Sequence, residues 1–122
     1  MTKFKSQGFN NTFKNARKGF RLVLKSEMNI RIHIVIALLV LITAFLLNFN
    51  AIEYCIILLT IAMVMITEMI NTAIEFTLDA VYHNRYSKMV GMAKDISAGA
   101  VMFASVLAVI IGCIMFGRHL LG

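Results

Sequence analysis

The sequence predicts an all-α membrane protein in which an N-terminal amphipathic helix precedes three transmembrane helices. Of the 122 residues, 60% are hydrophobic, and the chain contains neither proline nor tryptophan. A hydrophobic fraction this high exceeds that of soluble domains, and apolar runs without proline favour long helices over a turn-rich sheet. The length is that of one domain. We therefore expect residues 1–122 to form a single membrane-embedded unit.

The first helix is expected over about residues 4–28. Phenylalanine and basic residues are interleaved along this segment, with Phe4, Phe9, Phe13 and Phe20 among Lys14, Arg17, Lys18, Arg21 and Lys25. One apolar and one basic face are typical of a helix that lies in the membrane interface. The segment lacks the short apolar core of a cleavable signal peptide, so we expect it to be retained.

Three apolar segments follow, at about residues 30–49, 54–82 and 96–116. A helix needs about 20 residues to cross the hydrocarbon core, so each segment is long enough to span a membrane. The first and third segments are almost free of charge. The second becomes polar in its latter half, which marks it as the span that carries chemistry.

The distribution of basic residues predicts the orientation of the spans. Lysine and arginine are concentrated before Arg31 and again at Arg85, Lys88 and Lys94, whereas the connection at residues 48–53 has none. The excess of basic residues in cytoplasmic loops therefore places the N-terminus and the second loop in the cytoplasm. The net charge of +6 favours contact with anionic lipid headgroups. We do not expect nucleic-acid binding, because no soluble basic face with groove-reading elements is visible.

Three carboxylates lie on one face of the second predicted span. At about 100° per residue, Glu68, Glu75 and Asp79 fall within an arc of roughly 40°. Asn71 and Thr72 flank this acidic stripe. An ionisable residue at membrane depth costs about 2.5–3.5 kcal/mol on insertion scales. The stripe therefore needs counter-charges, and it indicates a functional site.

Other parts of the chain reach the same predicted side of the membrane as the acidic stripe. They are Glu27, before the first span, and the pair Lys94 and Asp95, before the third, whereas Glu53 lies at the opposite turn. Lys94 and a divalent cation are the simplest counter-charges for the stripe. Magnesium is the expected cation, because carboxylates and phosphates both bind it.

The polar motifs resemble the signature of the prokaryotic diacylglycerol kinase family. The matching runs are EMINTAIEFTLD at residues 68–79 and AKDISAGAV at residues 93–101, with KGFR at residues 18–21 and EMNIRIH at residues 27–33 upstream. The resemblance covers nearly the whole chain. It implies an ATP-dependent lipid kinase of the bacterial inner membrane, assembled as a homotrimer whose active sites are shared between subunits.

The same resemblance implies roles for individual residues. Glu68 would be the catalytic base, and Glu27 and Glu75 would hold the magnesium ion of ATP. The expected nucleotide contacts are Glu27, Glu75, Lys94, Asp95, Arg85, Tyr86 and Ser87; the supporting residues are Asn71 and Asp79; and the acceptor contacts are Glu68, Arg21 and Arg31. No glycine-rich phosphate loop is present, so the site would be unrelated to those of P-loop enzymes and protein kinases.

Alternatives remain for the acceptor and for the function itself. The segment at residues 27–33 looks most like the Gram-positive branch of the family, which favours undecaprenol as the acceptor over diacylglycerol. A small oligomeric ion or proton pathway lined by the second span would also explain the acidic stripe, but not Glu27 or the pair Lys94 and Asp95. A purely structural membrane subunit is the third possibility.

The histidines receive no catalytic role from the sequence. His33 follows Arg31 at the start of the first span, where we expect it to meet lipid headgroups. His83 lies in a predicted loop and His119 near the C-terminal end, and neither has a partner that the sequence identifies.

Overall fold

A computed structural model describes residues 8–122, and within them the chain forms four α-helices. They are α1 (Phe9–Ser26), α2 (Met28–Leu46), α3 (Ala51–Tyr82) and α4 (Lys88–Leu121). The last three are long and apolar enough to cross a membrane. The predicted all-helical architecture with three spans is therefore confirmed, and α1 matches the predicted N-terminal helix. Phe4, where that segment was expected to begin, lies outside the described residues.

The helix α1 has an exposed, amphipathic surface and one buried side chain, Val23. Its aromatic residues Phe9 and Phe13 are exposed and stack on each other with ring centroids 6.4 Å apart. The helix ends at Glu27, whose φ of −120° and ψ of 114° are extended. This single non-helical residue separates α1 from α2, so the Glu27 side chain projects from the break between these two helices.

A tight turn joins α2 to α3. Asn48 adopts the left-handed region with φ of 59°, which asparagine tolerates better than most residues. Asn50 then caps α3: its side-chain oxygen accepts a hydrogen bond from the Glu53 backbone N–H at 2.9 Å, and the Glu53 carboxylate accepts one from the Asn50 N–H at 3.0 Å. This capping box makes α3 begin at Ala51, three residues earlier than the predicted apolar segment.

The turn also holds the far end of α4, at what we call the hairpin end of the bundle. His119 Nε2 lies 2.6 Å from Glu53 Oε2, and its ring stacks on Phe49 with centroids 4.4 Å apart. Phe49 also contacts Phe116, beside a buried cluster that contains Ala44, Ile57 and Met115. His119 therefore has a partner that the sequence analysis did not identify, and α4 is fixed antiparallel to α3.

The helices α3 and α4 are longer than a membrane crossing requires. They contain 32 and 34 residues, against the roughly 20 that span the hydrocarbon core. The helix α4 begins at Lys88, well before the apolar segment at residues 96–116, because the Ser87 hydroxyl accepts a hydrogen bond from the Val90 N–H at 3.2 Å. Because α2 is much shorter, α3 and α4 extend beyond it at the opposite end, which we call the polar end.

Most large apolar side chains on the three spanning helices point outward. Leu39, Leu59 and Val109 are each more than half exposed, and they belong to a surface that is apolar on nearly every side. An exposed apolar surface this extensive marks contact with a membrane or with other protein subunits. The fold therefore buries a few polar side chains, Glu53, Glu68, Thr72 and Ser97, between helices and presents hydrocarbon over most of its spanning surface.

Replacing Phe49 should destabilise the hairpin end. We expect Phe49→Ala to lower the free energy of unfolding by about 3 kcal/mol, because truncation of a buried phenylalanine leaves a cavity and removes its ring contacts. Phe45→Ala is the matched control, since Phe45 lies in the last turn of α2, four residues before Phe49, and is 74% exposed. Unfolding in detergent measures both variants, and equal stability losses would contradict the packing described for Phe49.

Candidate active site

Each carboxylate of the acidic stripe on α3 has a different partner. The pairs are Glu68 with His33 at 3.2 Å, Glu75 with Asn71 at 3.1 Å, and Asp79 with Lys94 at 2.7 Å. The partners come from α2, from α3 itself and from α4, respectively. Glu68 therefore meets α2 and Asp79 meets α4, whereas Glu75 is held within α3.

A chain of hydrogen bonds crosses from α4 to the centre of the stripe. The buried Ser97 hydroxyl donates to Asn71 Oδ1 at 2.6 Å and also lies 3.0 Å from the Lys94 carbonyl oxygen of its own helix. Asn71 Nδ2 donates in turn to Glu75 Oε1. Because an amide has one accepting and one donating end, these two bonds fix the orientation of Asn71. Asn71 thus supports Glu75, and Ser97 is a contributor that the sequence analysis did not single out.

Lys94 joins α4 to the last turn of the stripe. Its ammonium lies 2.7 Å from Asp79 Oδ1, and both side chains remain more than a third exposed. Glu75 is also close enough to interact electrostatically with this ammonium. The arrangement places a lysine beside two carboxylates at the polar end, where a further anion or a cation can approach from solvent.

The pair Glu68 and His33 lies deeper in the bundle. The Glu68 side chain is only 8% exposed, whereas that of His33 is 28% exposed. Glu27, at the break before α2, is close enough for its carboxylate to interact electrostatically with Glu68. His33, which we expected to meet lipid headgroups, therefore contacts the predicted catalytic base. The antiparallel arrangement of the first two spans was the available signal, since it brings the start of α2 beside the middle of α3.

An apolar cavity of about 470 Å³ opens between α2, α3 and α4. His33 lines it together with side chains that are almost all apolar, among them Val40, Ile57, Val64, Val109 and Phe116. The lining residues of α2 run from His33 towards the hairpin end. The cavity therefore has an imidazole near its polar end and hydrocarbon along the rest, a shape and polarity that suit a long-chain alcohol.

Within residues 8–122, no ion pair joins the remaining predicted site residues to the stripe. Arg21, Arg31, Arg85 and Asp95 are exposed. Tyr86 is exposed as well, and it packs over α4 where Gly91 leaves room: a Cβ at Gly91 would lie 3.0 Å from the tyrosine hydroxyl. The side chain of Ser87 caps α4.

Within residues 8–122, no three His, Cys, Asp or Glu side chains stand close enough together to hold a metal ion. Magnesium, however, is usually bound by one or two carboxylates together with substrate phosphates and water rather than by an all-protein cage. Half-buried Glu27 and Glu75 supply oxygen donors of the right type. Their chemistry fits magnesium that arrives bound to a nucleotide.

Three spanning helices, a polar site between them and comparison with known proteins define the class as an integral membrane lipid kinase. The family model for prokaryotic diacylglycerol kinase matches residues 14–116. The chain belongs to this family.

Alignments to individual relatives extend over most of the chain. The chain is 36% identical to the undecaprenol kinase of Bacillus subtilis over 108 residues, which cover 88% of this chain and 87% of the relative. It is 34% identical to the diacylglycerol kinase of Escherichia coli K12 over 102 residues, or 84% and 83% of the two chains. Identity to the diacylglycerol kinase of Synechocystis is 37% over 83% of this chain, which spans only 58% of that longer relative.

Removing the Ser97 hydroxyl should weaken the packing of α4 against α3. We expect Ser97→Ala to lower the free energy of unfolding by about 1–2 kcal/mol, because Asn71 Oδ1 loses its donor in a buried setting. Thr77→Val is the control, since the Thr77 hydroxyl bonds only its own helix, at the Ala73 carbonyl. Unfolding in detergent compares the two, and a loss no larger than that of Thr77→Val would count against the described role of Ser97.

Proposed function

We propose that this lipid kinase transfers the γ-phosphoryl group of ATP to the hydroxyl of undecaprenol, forming undecaprenyl phosphate. Diacylglycerol, which would yield phosphatidic acid, is the alternative acceptor. The observation that carries the proposal is the position of Glu68, a buried carboxylate paired with His33, whose ring lines the apolar cavity. A base beside a hydrocarbon-lined cavity suits an acceptor whose hydroxyl is attached to a long apolar chain.

In the proposed reaction, the lipid hydroxyl oxygen attacks the γ-phosphorus of ATP. A phosphorus–oxygen bond forms there, the bond from the γ-phosphorus to the β–γ bridging oxygen breaks, and ADP leaves. The hydroxyl proton passes to the Glu68 carboxylate and then to water. Phosphoryl transfer depends mainly on positioning and electrostatic stabilisation, so one carboxylate that accepts the proton and a set of groups that hold the nucleotide are sufficient machinery.

The polar end of the bundle is the proposed nucleotide site. Glu27 and Glu75 would hold magnesium, which neutralises phosphate charge when it is bound with ATP. Lys94 is anchored by Asp79 and would contact the phosphates. Asp95, Arg85, Tyr86 and Ser87 are the further proposed nucleotide contacts. Glu75 lies seven residues beyond Glu68 on α3, about 10 Å along the helix axis. This spacing separates the metal-bound phosphates from the deeper base.

The proposed membrane orientation agrees with the proposed nucleotide site. The N-terminus and the connection at residues 83–87 would face the cytoplasm of a bacterial cell, because their basic residues favour that side of the inner membrane. The polar end then meets cytoplasmic ATP, while the cavity opens towards the lipid. Exposed Arg21 and Arg31 would lie near the headgroups and help to orient the acceptor.

Undecaprenol and diacylglycerol each have a single hydroxyl group attached to long hydrocarbon chains, so the two acceptors must be compared directly. The purified chain, with magnesium and ATP, is assayed in mixed micelles that contain one alcohol or the other. We expect a higher kcat/KM for undecaprenol. Preferential formation of phosphatidic acid would select the alternative, and transfer to neither alcohol would remove the kinase proposal.

The proposed assembly is a homotrimer with active sites shared between subunits. Support comes from Glu75, Asp79 and Lys94, which remain only half-buried in one chain, and from an uncovered groove between α3 and α4 that includes Asn71 and Ser97. Polar groups near membrane depth are costly unless protein or water covers them. A neighbouring subunit would provide that cover.

Glu68→Gln should reduce turnover sharply. Glutamine preserves the size of the side chain but cannot accept the acceptor's proton, and loss of a general base typically costs about 10²–10⁴-fold in rate. Single-turnover transfer and nucleotide binding are measured on the same preparation, and nucleotide affinity should stay nearly unchanged. Glu53→Gln, at the hairpin end, is the matched control. Near-normal transfer by Glu68→Gln would exclude Glu68 as the base.

Glu27→Gln and Glu75→Gln should each raise the magnesium concentration required for half-maximal turnover. Each variant loses one negatively charged ligand while the fold is retained, so the expected shift is at least about tenfold, with weaker binding of magnesium-ATP. Magnesium titrations at fixed ATP measure this shift. An unchanged magnesium dependence in either variant would refute a ligand role for that glutamate.

Mixed oligomers should reveal the shared sites. Glu68→Gln and Lys94→Met are each expected to be inactive alone, but co-assembly should restore part of the activity if one site takes residues from two subunits. Mixing is verified by affinity tags that differ between the two chains. Complete inactivity of confirmed mixed assemblies would show that each site lies within one subunit.

A further inference from the structure

Among the three acidic residues of the stripe, Glu68 alone is paired with a residue of α2. Asp79 pairs with a lysine and Glu75 with an amide, whereas Glu68 faces the imidazole of His33. The distance from His33 Nε2 to Glu68 Oε1 is 3.2 Å, which is within ion-pair distance, but the two groups are not aligned as a hydrogen bond. Catalytic hydrogen bonds are often long or poorly aligned in structures without substrate and tighten in the reacting complex.

No other lysine, arginine or histidine in residues 8–122 lies within ion-pair distance of the Glu68 carboxylate. The nearby Thr72 hydroxyl donates to the backbone carbonyl of Glu68 at 3.0 Å rather than to its side chain. The direction of the carboxylate therefore depends on His33. Because His33 also lines the apolar cavity, it contacts Glu68 on one side and the volume available to the acceptor on the other.

We infer that His33 is the positioning residue for Glu68: in the reacting complex its Nε2–H holds one carboxylate oxygen and leaves the other directed at the acceptor hydroxyl. The inference rests on the proposed function, in which Glu68 is the base. A misplacement of about 1 Å at a reacting group can cost on the order of 100-fold in rate. A group that fixes the carboxylate therefore acts on turnover rather than on nucleotide binding.

Histidine suits this task better than the lysine that serves Asp79. A neutral imidazole can donate one N–H to the carboxylate without adding a permanent positive charge. A fixed ammonium in the same place would remain paired with the carboxylate and oppose its uptake of a proton. The stripe thus uses a lysine where phosphates are expected and a histidine where a proton is to be accepted.

Side-chain length provides the test. Glutamine places an N–H as many bonds from Cβ as the Nε2 of histidine, asparagine places it one bond nearer, and phenylalanine keeps a ring without a donor. We expect His33→Phe and His33→Asn to lower kcat about 10- to 100-fold. His33→Gln should stay within about threefold of the native chain, and the KM for magnesium-ATP should be nearly constant across the series.

A double-mutant cycle with Glu68→Gln separates positioning from an independent effect. If His33 acts through Glu68, adding His33→Phe to Glu68→Gln causes almost no further loss of kcat. If the two residues act independently, the factors by which the single substitutions lower kcat multiply in the double variant. Thr43→Val is the control on α2, since the Thr43 hydroxyl bonds the Leu39 carbonyl of its own helix. Thermal unfolding in detergent verifies that each variant is folded.

The outcomes distinguish this inference from the proposed function. Absence of lipid phosphorylation by the native chain would overturn the function. An active native chain with full turnover in His33→Phe, or with losses in His33→Gln as large as those in His33→Asn, would overturn only the role of His33. If His33→Phe does not fold, the kcat values of His33→Gln and His33→Asn alone test the role of His33.

Discussion

The requirement that every carboxylate of α3 have a polar partner organises the polar half of the molecule. A helix that is apolar enough to span a membrane cannot leave such groups facing hydrocarbon, so its neighbours must supply complementary chemistry. The helix α2 supplies His33, while α4 supplies Lys94 and, through Ser97, the orientation of Asn71. The packing of three helices and the arrangement of the polar site therefore follow from the same contacts.

The two ends of the bundle use polar contacts in different ways. At the hairpin end, Glu53 belongs both to the cap of α3 and to the contact with His119, and aromatic rings surround the pair. Its groups are satisfied by one another. At the polar end, Asp79 and Lys94 pair but remain partly exposed, so they are accessible to a ligand. The first end joins the helices, and the second leaves charged groups exposed, where we propose that a nucleotide binds.

Membership of the lipid kinase family explains why so small a chain combines a hydrocarbon-lined cavity with a charged cluster. A lipid kinase must meet one substrate from the bilayer and another from water. Here the two environments lie along a single helix, because α3 extends from the aromatic hairpin end to the exposed pair of Asp79 and Lys94. In the proposed mechanism, the length of α3 therefore links the apolar cavity to the nucleotide site without a separate nucleotide-binding domain.

Residue order along the chain determined the spans, the amphipathic α1 and the acidic stripe, because helix periodicity and hydropathy are local properties. It also placed Asn71 beside Glu75, a contact within one turn of helix. Tertiary structure alone decided that His33 meets Glu68, that Ser97 orients Asn71 and that His119 meets Glu53, since these contacts depend on which helix faces pack together. The start of α4 at Lys88 is a local feature that hydropathy misses, because hydropathy marks where a helix enters lipid, whereas the hydrogen bond to the Ser87 side chain marks where the helix itself begins.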